Sequence, residues 1–310
     1  MRSAIDLKKQ IIALRPNHVI ICGWYPRQHA LLALLLRLGG YNIGVRSDNT
    51  LEHTKLSRFR GRLKRTLMFL WPSLYTAWHP VGTLARQYLE KLSVVQRPVF
   101  YFPYAINTEW FAENAARFRT ERQKWRQHFG LQPDDFVVLG VMKWTDREDP
   151  LTLVDAVLKS AVDIPKLKLL LVGGGPLHNL IELRATDNPG YVIMPGYAKY
   201  SELPMYYAIS DLFVHPAASE PYGVSVQEAM SCGLPVIVSD KVGAAIDFLE
   251  PGLNGEQFRV GNVVELAQHL TDYSARLNDQ SIAAISVRKA SEWSYVKTLD
   301  ELQKCLTIKV

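Results

Sequence analysis

The feature that most constrains the fold of this chain is an alternation of short apolar segments with longer segments of helical periodicity. The short segments are predicted strands: His18–Cys22, Asn42–Arg46, Leu74–Trp78, Val99–Phe102, Phe136–Val141, Leu167–Val172, Tyr191–Met194, Leu212–His215 and Pro235–Ser239. The longer segments are predicted helices: Gln28–Leu38, Lys55–Phe69, Val81–Leu92, Pro150–Ala161, Pro176–Ala185, Ser201–Ile209 and Ser225–Cys232. Strands and helices in strict turn favour parallel sheets with right-handed crossovers, which is an α/β fold.

The chain has 310 residues, enough for two domains that each bury a core. Its composition, 48% hydrophobic and 21% charged, is typical of globular proteins rather than disordered ones. The polar segment 114–128 and the loop-like segment 131–135 mark the boundary between the two domains. We therefore predict an N-terminal α/β lobe over residues 1–115 and a C-terminal α/β lobe over 116–290. A helix within 291–310 is expected to pack back toward the first lobe.

The predicted first lobe is short. It offers about four strands, whereas a doubly wound lobe usually carries about six. The chain also opens on a predicted helix, with no strand and glycine turn before it. We therefore expect an N-terminal lobe that lacks its start.

A net charge of +6 indicates an anionic partner, such as a phosphate ligand, an acidic membrane surface or nucleic acid. Much of the excess of positive charge lies between Arg46 and Arg65, and the bulky apolar segment Leu67–Trp71 follows directly. A basic stretch beside an apolar one is typical of interfacial helices. Residues 55–71 therefore form either a membrane-surface or phosphate-rich contact, or an ordinary solvated helix face.

The cysteines, Cys22, Cys232 and Cys305, are widely spaced and match neither a disulfide framework nor a zinc pattern. The sequence shows no signal peptide and no apolar run of spanning length. We expect a cytoplasmic protein that, if it meets a membrane, lies on the inner face.

The most informative segment follows the predicted strand Leu212–His215. A loop carries Glu220, Gly223 permits close backbone approach, and a helix begins at about Val224. A helix that opens after a strand of a parallel sheet presents free N–H groups and the positive end of its dipole to an anion. Glu228 lies just over one turn into this helix. Two carboxylates near a phosphate site are explained if each accepts hydrogen bonds from sugar hydroxyls, one set from ribose and one from a hexose.

The alternative for this segment is that Glu220 is an acid favoured by the helix dipole and that Glu228 is a surface residue.

The stretch from Glu220 to Pro235 resembles the E-x7-E motif of the retaining GT-B glycosyltransferases of family 4. The resemblance continues through Leu171–Leu177, Leu203–Tyr207, Ser210–Pro216, Gly233–Ile237, Val242–Ala244 and Gly252–Gly255, and more loosely through Val99–Phe111. It implies an α/β GT-B fold of two Rossmann-like lobes with parallel sheets, the N-terminal lobe being incomplete. It also implies transfer of a hexose from a nucleoside diphosphate sugar to a glycan or lipid-linked acceptor, with retention at the anomeric carbon.

The resemblance assigns roles to individual residues of the motif. Glu228 would bind the ribose hydroxyls, and Glu220 would hold the donor hexose. The backbone N–H groups of Tyr222, Gly223 and Val224 would cradle the sugar and the diphosphate.

Further along the lobe, Gly196 and Tyr197 would contact the base through their backbone. Gly174 is also assigned to substrate binding, although the triplet Gly173–Gly175 taken alone is typical of an ordinary turn. The triplet does not match the G-x-G-x-x-G dinucleotide fingerprint, which argues against a Rossmann dehydrogenase.

This chain departs from the family where members usually have G-R-L-x-x-x-K-G. Lys143 stands at the Arg position and Glu148 at the Lys position, with Arg147 one residue before it. A cation there would stabilise the charge that develops on the leaving diphosphate. Either Arg147 takes this role or the site has one cation fewer. We assign Glu220, Lys143 and Arg147 to catalysis.

The family's common histidine is missing from the segment 44–49. Arg46 and Asp48 either face the cleft, with Asp48 binding substrate, or belong to a helix-entry loop in which Asp48 is a cap. The histidines show no metal-ligand spacing, and His215 is expected to be packed and hydrogen-bonded. We therefore expect no metal, and no cofactor other than the sugar-nucleotide substrate.

The expected partners are a nucleotide-sugar donor and a glycan or lipid-linked acceptor, as in polysaccharide biosynthesis, without nucleic acid. The rival hypothesis is a non-catalytic or truncated GT-B remnant that binds a sugar nucleotide or a partner subunit. Glu148 and the short first lobe favour this rival.

Overall fold

The computed structural model of the chain describes residues 3–23, 27–53, 71–276 and 280–307. The strands are β1 (Val19–Cys22), β2 (Ile43–Ser47), β3 (Ala77–Pro80), β4 (Phe136–Lys143), β5 (Leu167–Gly174), β6 (Val192–Gly196), β7 (Leu212–His215), β8 (Val236–Ser239) and β9 (Gly255–Phe258). The helices are α1 (Ala4–Ala13), α2 (Arg27–Leu38), α3 (Thr83–Leu92), α4 (Thr108–Thr120), α5 (Arg122–His128), α6 (Pro150–Ser160), α7 (His178–Asp187), α8 (Leu203–Ile209), α9 (Val224–Ser231), α10 (Ala245–Phe248), α11 (Val263–Ser274), α12 (Gln280–Ser291) and α13 (Tyr295–Thr307).

The chain divides into two compact units. The first comprises Met1–Ala105 together with Tyr295–Val310, and the second comprises Ile106–Ser294. The break after Ala105 precedes the boundary predicted at residue 115, because α4 belongs to the second unit. The last helix, α13, groups with the first unit.

The first unit is built on a parallel sheet in the order β1-β2-β3. β1 and β2 lie where predicted, whereas β3 begins three residues later than the predicted strand Leu74–Trp78, because Trp71–Leu74 is a 3-10 turn. The predicted strand Val99–Phe102 forms a single parallel bridge between Trp78 and Val99. A core of interlocking aliphatic and aromatic side chains joins the sheet to its helices; it includes Leu32, Leu36, Ile43, Val45, Trp78 and Leu89.

The predicted helix Lys55–Phe69, and with it almost all of the proposed membrane contact at 55–71, lies outside the described residues. No helix within the described ranges combines the length and the apolar character needed to cross a membrane.

The second unit contains a six-stranded parallel sheet in the order β6-β5-β4-β7-β8-β9. From β4 at the centre of the sheet, the chain adds β5 and β6 toward one edge. It then returns to the centre with β7 and adds β8 and β9 toward the other edge. This doubly wound order has a topological switch point between β4 and β7, and ligands of such sheets bind in the crevice at the carboxyl ends of those strands. The central strands are buried on both faces, which explains their continuous apolar sequences.

The polar segment 114–128, which we interpret as part of the domain boundary, is helical. α4 and α5 occupy most of it, and two arginines of α5 converge on one carboxylate at the start of β7. Arg122 Nη2 and Arg126 Nη2 donate to the two Asp211 carboxylate oxygens at 2.5 and 2.7 Å. Asp211 also accepts from the Val137 N–H at 2.8 Å, which ties these helices to the central strand β4. The arginines of this polar segment therefore form packing contacts within the second unit.

Candidate functional site

The crevice at the switch point is flanked by the last residues of the two central strands. Lys143 ends β4 and His215 ends β7. The loop after β4 carries Arg147 and Glu148, and the loop after β7 carries Glu220. Because carboxyl ends of parallel strands meet at one edge of a sheet, residues far apart in the chain converge there.

The loop after β7 leads into α9 through a glycine in a conformation that L side chains rarely adopt. Gly223 has φ of 103° and precedes Val224, the first residue of α9. The neighbouring loop supports this turn: Gly243 N–H donates to Glu220 O at 2.8 Å, and Ala244 N–H donates to Tyr222 O at 2.7 Å. The first N–H groups of a helix have no intrahelical acceptor, so this turn presents donors together with the positive end of the α9 dipole.

The Glu220 carboxylate lies at this turn and has two partners. It accepts a hydrogen bond from the Tyr222 N–H at 3.2 Å and one from Arg147 Nη1 at 3.2 Å. The Tyr222 N–H, predicted to cradle substrate, is therefore engaged by Glu220. The N–H groups of Gly223 and Val224 lie at the helix start, where an anion would meet them.

Glu228 lies on α9 and is only 6% exposed, so the alternative that it is a surface residue is wrong. Its Oε2 accepts a hydrogen bond at 2.9 Å from the hydroxyl of Tyr207 on α8. Burial raises the pKa of Glu228 to about 7, against the opposing effect of the Tyr207 hydrogen bond. The sequence motif identified Glu228, but nothing in it singled out Tyr207 as the partner.

Arg147 connects the two loops. Its guanidinium pairs with the carboxylates of Glu148 and Glu220, and Nη1 also donates to Ser219 O at 3.3 Å. The Arg147 side chain is 52% exposed, whereas Glu148 is buried. Burial raises the pKa of Glu148, while the charges of Arg147 and Lys143 act in the opposite direction. Lys143 itself is exposed.

His215 lies behind Glu148, with its Nε2 3.7 Å from Glu148 Oε2. The imidazole stacks on Phe213, as expected for a packed side chain. The expectation that it would also be hydrogen-bonded is wrong, because neither ring nitrogen has a hydrogen-bond partner among the described residues. Burial lowers the pKa of His215 to about 4, and the charge of Arg147 adds to the effect.

Glu148, His215 and Glu220 bring ligand-type atoms within 4.8 Å of one another, an arrangement that could hold a metal ion. The guanidinium of Arg147 already bridges the two carboxylates of this group and supplies the positive charge that they require.

The glycine triplet after β5 packs against the loop that follows β4. The Trp144 N–H donates to Gly174 O at 2.9 Å, and a Cβ at Gly175 would lie 2.5 Å from the Trp144 carbonyl oxygen. The exposed Tyr197, after Gly196 at the end of β6, donates its hydroxyl to the same Gly174 carbonyl at 2.8 Å. The predicted residues Gly174, Gly196 and Tyr197 therefore lie together at the β5 and β6 edge of the crevice. The triplet itself has a packing role there.

Asp48 lies in the first unit, where it accepts a hydrogen bond from the Tyr104 hydroxyl at 2.7 Å. Arg46 lies over the Tyr104 ring, with its guanidinium carbon 4.4 Å from the ring centre, and donates to Phe102 O and Pro103 O at 2.9 and 3.0 Å. Asp48 and Arg46 line a cleft of about 480 Å³ within this unit. The predicted role of Asp48 in substrate binding stays a prediction.

Comparison with known proteins gives a family and several relatives. The model of the family described as Glycosyl transferases group 1 matches residues 121–282, more than half of the chain. An alpha-monoglucosyldiacylglycerol synthase of Acholeplasma laidlawii is 27% identical over 225 residues, 67% of this chain and 54% of the relative. A sulfoquinovosyl transferase of Arabidopsis thaliana is 30% identical over 177 residues, 57% of this chain and 33% of the relative. The chain thus spans about half or less of the length of these relatives.

A solved structure of similar fold is Anabaena HepE in complex with UDP. It superimposes with a TM-score of 0.75 and 18% identity, covering 97% of this chain and 82% of HepE. The likeness, with the two parallel sheets, confirms the predicted α/β fold of the GT-B type.

Proposed function

The chain belongs to the Glycosyl transferases group 1 family, and on this premise we propose that it is a retaining hexosyltransferase. Its donor is a nucleoside diphosphate sugar, and its acceptor is a hydroxyl of a glycan or of a lipid-linked molecule. The single observation that carries the proposal is the turn before α9, with Glu220 at its start and the buried Glu228 one turn beyond.

The donor would lie along this turn with its diphosphate at the start of α9. The N–H groups of Gly223 and Val224 and the helix dipole favour negative charge there. Glu228 accepts hydrogen bonds from the ribose hydroxyls, and Glu220 accepts those of the hexose. Gly196 and Tyr197 contact the base. The buried Glu228 carboxylate already accepts a hydrogen bond from Tyr207. Burial disfavours its charged form, and ribose hydroxyls would donate further hydrogen bonds that stabilise that form.

In the reaction, the bond between the anomeric carbon and the diphosphate oxygen breaks as the acceptor oxygen bonds to the same face of that carbon. The acceptor proton passes to an oxygen of the leaving diphosphate, so that no protein nucleophile is needed. Arg147 and Lys143 stabilise the negative charge that develops on the leaving group. Arg147 Nη1 donates to the Glu220 carboxylate at 3.2 Å, and this contact supports the proposal that Arg147 takes the role of the family's lysine.

The acceptor is proposed to be lipid-linked and presented at the inner face of a membrane. Two observations support this choice: one relative is named as a glucosyldiacylglycerol synthase, and residues 55–71 combine basic and apolar side chains. Asp48 and the cleft around it belong to the acceptor-side unit.

A second candidate function is binding of the sugar nucleotide without transfer. The observation in its favour is Glu148, a buried carboxylate at the position where the family usually carries a lysine. A carboxylate beside the diphosphate opposes the charge of the leaving group, and Arg147 is shared between it and Glu220.

The test is calorimetric titration of the purified chain with UDP-, GDP- and ADP-sugars, followed by transfer of labelled sugar to a membrane lipid extract. We expect one donor series to bind and to label lipid. Glu228→Ala should lose binding, while Glu113→Ala, which removes an exposed carboxylate of α4, should keep it. Binding without labelling would favour the second candidate. Equal binding by wild type and Glu228→Ala, or binding by neither, would overturn both.

A further inference from the structure

A second cluster of chemistry-bearing side chains lies in the first unit, separate from the residues of the donor crevice. His18 immediately precedes β1, His79 lies in β3, and Cys305 lies on α13. Their ligand-type atoms fall within 4.8 Å of one another. The two imidazole Nε2 atoms are 3.1 Å apart, and Cys305 Sγ is 3.7 Å from His18 Nε2 and 3.9 Å from His79 Nε2.

These separations suit a tetrahedral metal ion. With Zn–N bonds of about 2.05 Å and a Zn–S bond of about 2.3 Å, tetrahedral angles place nitrogens about 3.3 Å apart and sulfur about 3.6 Å from each nitrogen. The three observed separations differ from these values by 0.3 Å or less.

The surroundings orient the ligands. His79 is 0% exposed, and its Nδ1 lies 3.1 Å from the Phe100 carbonyl oxygen, to which an Nδ1–H donates. That bond selects the tautomer whose Nε2 carries the free lone pair and faces the cluster.

The central strand makes room for the cluster. A Cβ at Gly44 of β2 would collide with the rings of both His79 and His18. A cavity of about 20 Å³, lined in part by Asn17, Asn42 and Cys305, borders the group. Because a water molecule needs about 10–15 Å³, this cavity can supply a fourth ligand.

We propose that His18, His79 and Cys305 bind one Zn²⁺ ion that fastens α13 to the sheet of the first unit. Two imidazoles and a thiolate form a donor set that Zn²⁺ favours, and binding requires only that Cys305 lose its proton to solvent. The ion joins the last helix to strands that lie more than two hundred residues earlier. It has no part in sugar transfer, so the proposal is independent of the proposed function. It replaces the expectation, drawn from sequence spacing, that the chain holds no metal.

The first experiment measures zinc bound to untagged protein after dialysis against limiting free Zn²⁺, together with its melting temperature before and after chelation. We expect one zinc per chain in the wild type and a lower melting temperature once the ion is removed. Cys305→Ser should abolish stoichiometric zinc, whereas Cys22→Ser, which changes an exposed cysteine, should retain it.

The second experiment replaces zinc by Co²⁺ and records the thiolate-to-cobalt charge-transfer band in the near ultraviolet. The band should appear in wild type and in Cys22→Ser, and it should be absent from Cys305→Ser. If Cys305→Ser does not fold, His18→Gln provides the test at a half-buried ligand. Absence of stoichiometric zinc in the wild type, or equal zinc in these ligand variants, would show a hydrogen-bonded His–His–Cys group only and overturn the proposal.

Discussion

The hydroxyl of Tyr207 donates a hydrogen bond of 2.9 Å to the carboxylate of Glu228, and both side chains are buried in the second unit. This one contact does not offset the burial of a carboxylate, since the pKa of Glu228 is about 7. The folded protein binds the Glu228 proton more tightly than the unfolded chain does, so stability falls as the pH rises from about 4.5 to about 7. The charged Glu228 carboxylate therefore lowers the stability of the fold, which favours a role in binding a ligand.

We therefore expect Glu228→Gln to increase the free energy of unfolding at pH 8 by up to about 3 kcal/mol, with little change at pH 4.5. The same variant should lose donor binding, because the amide cannot replace a carboxylate that accepts from two ribose hydroxyls. Urea unfolding at both pH values measures the first effect and calorimetry the second. Glu113→Gln should show neither. A variant that is no more stable than wild type at pH 8 would contradict the raised pKa.

Removal of Arg147 should impair the chemical step. Arg147→Ala is expected to lower turnover by about 100-fold, because a fixed cation near the leaving group is lost. Glu148→Gln should have a smaller effect, since Arg147 keeps its contact with Glu220. In the double variant the two effects should not add, because both act through the position of one guanidinium. Arg259→Ala, which removes an exposed arginine paired with Glu265, is the control. Unchanged turnover in Arg147→Ala would exclude Arg147 as the replacement for the family's lysine.

His215 should make the protein sensitive to acid. Its folded pKa of about 4 lies below the ordinary value of 6.5, so the unfolded chain takes up the proton first. The contribution of neutral His215 to the free energy of unfolding is fully present above pH 6.5 and is lost as the pH falls toward 4. The loss is about 2 kcal/mol at pH 5. His215→Gln should remove this part of the slope of unfolding free energy against pH. An unaltered slope in His215→Gln would contradict the lowered pKa of His215.

Two glycines of the second unit should differ in their tolerance of a methyl group. Gly173 has φ of 139°, and an added Cβ would collide with the Met142 carbonyl oxygen. Gly196 has φ of 86°, but no atom lies within 4 Å of an added Cβ. Gly173→Ala should therefore cost about 3 kcal/mol or more, and Gly196→Ala only about 1 kcal/mol of backbone strain. Thermal unfolding of the two variants measures the difference, and equal losses would refute the packing role of the triplet.

Much of the second unit could be predicted from local sequence. The strand Leu212–His215 has its predicted bounds, and the other central strands agree within two residues at each end. Buried parallel strands are continuous apolar runs, which a short window of sequence reveals. β9 was missed because Gly255–Phe258 is short and carries two polar residues at the edge of the sheet. The segment 114–128 was misinterpreted because its arginines are paired by Asp211, which lies far along the chain.

For the candidate site, local sequence was enough to predict the order of the parts: a strand, a loop with Glu220, the Gly223 turn and a helix with Glu228. These depend on backbone preferences and on spacing over about ten residues. The folded chain is needed to see that Tyr207 contacts Glu228 and that Arg147 joins Glu148 to Glu220. The same is true of the contact of His18 and His79 with Cys305. Such pairs depend on strand order and register, which bring distant residues together and which no local pattern encodes.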